Sequence, residues 1–220
     1  MKIYCICLPS RLEHCTRFFQ ALQLPVEYIE PCLAEEIPEY PRKTYDLYQN
    51  MKNARTTKYM FVAPDYRAKK TKLACSISHR NALNAFLESD DDLCIIVEDD
   101  NEIPNEREVQ MFYYWYGWLQ ANSDKFNLVN LSPCMSKRSL SPSLVHPDLY
   151  RVSGYCMNCY CVTRPGAIEL LTKTLTVQKH TLDMLLPALT RSYELHPRLF
   201  QQNTESSSLS NPPSPMEYWG

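Results

Sequence analysis

Leu93-Cys94-Ile95-Ile96-Val97 runs directly into Glu98-Asp99-Asp100. The apolar run, set off by the turn-like Asp90-Asp91-Asp92, reads as a buried strand. Three carboxylates at its tip repel one another unless something positive sits there. A hard divalent cation is the common solution, because oxygen ligands suit magnesium, manganese or calcium. In open α/β sheets, ligands bind beyond the carboxyl ends of the strands. The competing reading is a solvated acidic loop after an ordinary strand.

Working outward, Ile3 to Leu8 predicts a first buried strand. Pro9-Ser10-Arg11 turns into a helix from about Leu12 to Leu22, with Leu12, Cys15, Phe18, Phe19 and Leu22 at helical spacing. Val26 to Ile29 predicts a second strand, and strand–helix–strand is an α/β opening. Residues 31–72 read as irregular, broken by Pro31, Pro38, Pro41 and Pro64. Arg67, Lys69, Lys70 and Lys72 form either a solvated basic loop or a phosphate-facing edge. A helix is expected from Ser76 or Ser78 to Leu87, with either serine as its N-cap.

The run Val109 to Leu119 holds Phe112, Tyr113, Tyr114, Trp115, Tyr116 and Trp118. Such residues stack on sugar faces or pack a helix against a sheet, and aromatics on every side favour packing. Short strands are predicted at Asn127–Leu131 and Tyr155–Val162, with a polar loop over Ser132–Pro147 between them. A helix starting at Pro165-Gly166-Ala167 and running through Leu171 follows. Ser192–Leu195 reads as a last short strand. From Asn203 the chain is rich in serine and proline and is expected to be disordered. Residues 1–202 are then one domain and 203–220 a tail.

The chain has 220 residues, 45% hydrophobic, and a formal net charge of -2. That charge argues against a general nucleic-acid binder. No apolar run is long enough to span a membrane, and no signal peptide is visible, so a cytoplasmic location is expected. The ten cysteines are then expected to be reduced thiols. A zinc reading of Cys156, Cys159 and Cys161 lacks a second ligand pair. Only four glycines are present, which excludes glycine-rich phosphate loops. A bound nucleotide would need a metal bridging its diphosphate instead.

Four blocks together resemble glycosyltransferase family 25, whose members include lipopolysaccharide and collagen galactosyltransferases. They are Ile3 to Arg11, Cys75-Ser76-Ile77-Ser78-His79, Ile95 to Asp100, and Tyr160 to Ala167. Thr181-Leu182-Asp183 and His196 to Gln202 are weaker echoes. The chain departs from the family pattern at Cys7, where asparagine is usual, and at Ala74, where glycine is usual.

The resemblance implies a GT-A-like, nucleotide-sugar-binding α/β sheet flanked by helices. It implies transfer of a sugar, most often galactose, from a UDP-sugar donor to a glycan or hydroxylated acceptor, with inversion. The cofactor implied is a divalent metal, Mn2+ or Mg2+, held by Glu98 and Asp100, whose i, i+2 spacing places them on one face of an extended tip. His196 is the candidate third ligand, against a plain surface histidine before Pro197. Leu8, Arg11, Ser78, His79 and Asp99 are the donor-binding candidates. Ser78 and His79 enter as residues at a helix start, where free N–H groups attract anions. Asp183 is the candidate base, against a carboxylate favoured by a helix dipole. An inactive binding or scaffold relative and a metal-dependent phosphoesterase are the other function classes.

Overall fold

A computed structural model describes residues 1–37, 66–133, 142–152, 156–173 and 182–203. Apart from Asn203 the Ser/Pro-rich tail lies outside these residues, as does most of the stretch read as irregular. The elements are β1 (Lys2–Ile6), α1 (Leu12–Leu22), β2 (Glu27–Ile29), α2 (Tyr66–Glu88), β3 (Leu93–Glu98), α3 (Glu106–Ala121), β4 (Leu128–Asn130), β5 (Leu149–Arg151), β6 (Cys159–Thr163), α4 (Arg164–Lys173) and β7 (Ser192–Leu195). The strands form one sheet in the order β2-β1-β3-β6-β4-β7-β5. β1 pairs in parallel with β2 and β3, and β4 with β7, while β6 runs antiparallel between β3 and β4. The carboxyl ends of β1, β2, β3, β4 and β7 therefore share one edge.

The strands alternate sides with a period of two. Ile3, Cys5, Ile95 and Val97 face α1 and α3 through Phe18, Phe19, Phe112 and Trp115. Tyr4, Ile6, Cys94 and Ile96 face α2 and α4 through Leu83, Phe86, Ala167 and Leu170. The result is a mixed α/β sheet with helices on both faces, consistent with the GT-A-like arrangement expected. Each fully buried side chain such as Leu83 or Phe86 contributes about 2 kcal/mol through its removal from water.

The aromatic run packs as expected for a core helix. Phe112 and Trp115 are buried, and the more exposed Tyr113 donates its hydroxyl to the Leu22 carbonyl. Asn105 and Glu108 form the reciprocal cap that starts α3. At the start of α4, Gly166 lies against β4, and a Cβ there would overlap the Asn127 carbonyl.

Three expectations are corrected and one strand is added. α2 begins at Tyr66, not at Ser76 or Ser78, because the lysine-rich residues before Ala74 continue the helix. Arg67 to Lys72 therefore lie in its first turns and not in a loop. β5 had no sequence signal, since three residues are too few to show alternation. Cys156 is in a disulfide rather than a reduced thiol, although eight other cysteines are free. Among the described residues, no helix is long and apolar enough to cross a membrane.

Candidate functional site

The strand alternation separates the carboxylates of the triplet. Glu98 continues the parity of Cys94 and Ile96 and turns toward α2. There its Oε1 lies 2.7 Å from His79 Nε2, and the Cys75 thiol lies 4.0 Å away. His79 is buried, and its Nδ1 is 3.3 Å from the Tyr160 hydroxyl. A Tyr160–His79–Glu98 relay thus runs from the core to the carboxyl edge. Burial pushes the Tyr160 hydroxyl well above its ordinary pKa, so this group stays a neutral donor or acceptor.

Asp99 turns the other way, toward the end of β1. It accepts the Leu8 N–H at 2.8 Å and the Arg11 guanidinium at 2.7 Å. Leu8, Arg11 and Asp99, singled out separately in the sequence, are thereby one unit. The unit fixes the turn between β1 and α1 against the tip of β3.

Asp100 lies just beyond β3, which ends at Glu98. The extended-strand argument for pairing Glu98 with Asp100 therefore stops one residue short: Asp99 and Asp100 are in a turn. Asp100 is only 5% exposed. Its Oδ2 accepts from Gln202 Nε2 at 2.7 Å, while its Oδ1 is buried without a partner. Burial, then the charge of Glu98, raises its pKa to about 7. A carboxylate in that position gains from a cation.

Asn101 and Asn158 brace this edge. Asn101 Nδ2 donates to the Glu98 and Asn158 carbonyls at 2.9 Å each. Asn158 Nδ2 returns a bond to Asn101 Oδ1 at 2.9 Å, leaving Asn158 Oδ1 buried and unpartnered. The two orphaned atoms at this edge are both oxygen acceptors. Oxygen donors of this kind fit a hard divalent cation.

The segment after β7 returns across the edge to the triplet. Leu199 N–H donates to the Leu131 carbonyl, and Asn203 N–H to the Asp100 carbonyl. Gln202 bridges to Asn101 as an isolated antiparallel pair. Gln202, Asn101 and Asn158 were missed as site residues. The only sequence signal was the adjacency of Asn101 to the triplet and of Gln202 to the late block.

His196 ends β7 at the same sheet edge. Its Nε2 is 2.9 Å from Glu194 Oε1. β7 stands three strand spacings from β3, about 14 Å. Among the described residues, the sets of three metal-capable side chains within 4.8 Å are Cys5–Cys7–Cys15 and Cys75–His79–Glu98. Glu98, Asp100 and His196 are not such a set.

Ser78 and His79 do not stand at a helix start, because α2 begins three turns earlier. The Ser78 hydroxyl donates to the Ala74 carbonyl at 2.8 Å and accepts the Cys32 N–H at 2.9 Å. The free N–H groups expected to attract an anion there are tied up within the helix. Asp183 lies in a 3-10 helix, Leu182–Ala188, whose Leu182 and Leu186 pack on the α2–α4 face.

The fold and this edge define a class: an α/β protein with a carboxylate cluster at the carboxyl ends of its strands. Within that class the chain belongs to glycosyltransferase family 25 (LPS biosynthesis protein), whose sequence profile matches residues 1–186. It is a glycosyltransferase by family, acting between a sugar donor and an acceptor. No curated protein matches it in sequence. Among solved structures it is similar to the crystal structure of A197 from STIV. The two are 12% identical over 91% of this chain and 84% of that chain, with a TM-score of 0.42.

Proposed function

We propose that this protein moves a hexose, galactose in the first instance, from a UDP-sugar to a hydroxyl of a glycan or other hydroxylated acceptor. The observation that carries the reading is Asp100: a buried carboxylate with one unpartnered oxygen, beside Glu98, at the carboxyl edge of a family 25 sheet. Glu98 and Asp100 would hold a divalent cation, Mn2+ or Mg2+. When bound, the cation supplies neutralising charge to the diphosphate leaving group.

The remaining roles belong to side chains of this chain. Leu8 and Arg11 present the nucleotide side of the site, and Asp99 orients both through the two bonds described. His79 acts through Glu98, holding one of its carboxylate oxygens. Ser78 positions the chain at Cys32 against α2. Asp183 accepts the acceptor hydroxyl proton as that oxygen attacks the anomeric carbon, which yields inversion.

The test is UDP release from UDP-galactose, with Mn2+ and then with chelator, for the wild type and Asp100→Ala. Turnover that needs metal and vanishes in Asp100→Ala supports the reading. Absence of binding of UDP-galactose, UDP-glucose and UDP with every divalent metal would overturn it in favour of a binding or scaffold role.

A further inference from the structure

Cys5, Cys7 and Cys15 form a second cluster, on the opposite side of the β1 tip from His79. Their sulfur atoms all lie within 4.8 Å of one another, and Cys7 Sγ is 3.2 Å from Cys15 Sγ. All three residues are buried, at 1%, 6% and 2% exposure. Cys5 and Cys7 share one face of an extended segment because they are two residues apart. Cys15 meets them from the first turn of α1. Buried cysteines elsewhere in the sheet, such as Cys94 and Cys161, behave as small hydrophobes. Among the described residues, only this trio brings three thiols together.

We propose that Cys5, Cys7 and Cys15 constitute a three-thiolate site for one thiophilic closed-shell cation, zinc or copper(I). Soft sulfur ligands select these ions over the hard cations that suit Glu98 and Asp100. Three sulfurs around one ion at about 2.3 Å stand about 4.0 Å apart. The cluster brackets that separation, so coordination requires adjustments below 1 Å, of the order of a small χ1 rotation. Binding breaks three S–H bonds and forms three S–metal bonds, releasing three protons to solvent with no change of oxidation state. The ion would clamp α1 to β1 across the turn that carries Leu8 and Arg11. The same crevice is lined by His14, Glu98, Asp99 and Asn101, so the clamp abuts the carboxylate edge without sharing its ligands.

The full chain, handled anaerobically, would be titrated with Zn2+ and separately with Cu+ delivered from a competing chelator. Cd2+ would serve as the ultraviolet charge-transfer probe. One equivalent is expected, with affinity lowered more than about 100-fold in Cys7→Ala and in Cys15→Ala, since losing a ligand exceeds the effect of losing an outer partner. Cys75→Ser is expected to leave binding unchanged. X-ray absorption on the wild type keeps the test independent of whether the variants fold: three sulfurs per metal are expected. One sulfur with nitrogen and oxygen would place the ion at Cys75–His79–Glu98 and overturn the proposal. So would the absence of a charge-transfer band, or a Cys7–Cys15 disulfide in non-reducing peptide mapping. Neither donor nor turnover enters the test, so its result is independent of the transferase reading.

Discussion

His79 Nε2 and Glu98 Oε1 are 2.7 Å apart, and the histidine side chain is 3% exposed while the carboxylate is 23% exposed. The pair joins the middle of α2 to the tip of β3 across 19 residues of sequence. A hydrogen bond to a charged group in such a setting is worth about 1.5–3 kcal/mol. His79→Ala leaves Glu98 without that donor and the Tyr160 hydroxyl without its histidine partner. A loss of about 2–3 kcal/mol is expected in urea unfolding. A double-mutant cycle with Glu98→Gln should return a coupling above about 1 kcal/mol; a coupling near zero would show that the two side chains do not act as a pair.

Much of this edge was legible in the chain because β1 and β3 are short and, apart from Lys2 and Glu98 at their ends, apolar and buried. Glu98 follows the parity of β3, whereas Asp99 is placed by the turn and by its bonds to Leu8 and Arg11, which the triplet alone does not announce. The start of α2 is hidden in the sequence because Ser76 and Ser78 look like caps. In the middle of a helix, however, a serine bonds back to the carbonyl four residues earlier, as Ser78 does to Ala74. The distance of His196 from the triplet depends on two strands, β6 and β4, lying between β3 and β7. Strand order of that kind is a long-range property with no local pattern. The Asn101–Asn158 brace spans 57 positions and was invisible for the same reason.

Asp99 accepts both the Arg11 guanidinium and the Leu8 N–H, so Asp99→Ala should loosen the turn and not merely delete a charge. An expected loss of about 2 kcal/mol in stability reflects two donors left without their acceptor in a partly buried setting. Arg11→Lys keeps the charge but not the planar guanidinium geometry, and should recover little of what Arg11→Ala loses. Urea unfolding of the three variants decides this. Equal stability of Asp99→Ala and wild type would remove Asp99 as the organiser of the turn.

Gly166→Ala introduces a Cβ into the Asn127 carbonyl. That carbonyl also accepts the Thr163 N–H at 3.0 Å, so it cannot retreat without breaking a sheet contact. Overpacking of this kind costs about 1–3 kcal/mol, which outweighs the gain from alanine's better helix propensity. The thermal midpoint should fall. A variant as stable as wild type would mean that α4 can slide away from β4.

Asp100 makes stability depend on pH in a direction opposite to that of a paired carboxylate. Its folded pKa is raised to about 7 by burial and the Glu98 charge, against about 3.9 for an unfolded aspartate. The native chain therefore holds a proton that the unfolded chain has released. Its contribution is whole below about pH 4 and is lost as pH rises through about 7. Metal-free Asp100→Asn should gain on wild type as pH rises from 5 to 8, as read by urea midpoints. Parallel midpoints for the two proteins across that range would show that Asp100 ionises normally.

Gln202 then sets where that transition falls. Its amide donates to Asp100 Oδ2 and favours the ionised form, lowering the pKa that burial raises. Removing one such bond is worth up to about 1 pKa unit, so Gln202→Ala should hold the proton to higher pH. A cation at Asp100 competes with this proton, and Mn2+ affinity should fall about tenfold per pH unit below the transition. In Gln202→Ala the transition should move alkaline while affinity well above it returns toward wild type, because the carboxylate itself is intact. Calorimetric Mn2+ titrations between pH 6 and 9 separate the two effects. A uniform loss at every pH would make Gln202 a support for the returning segment and not a control on Asp100.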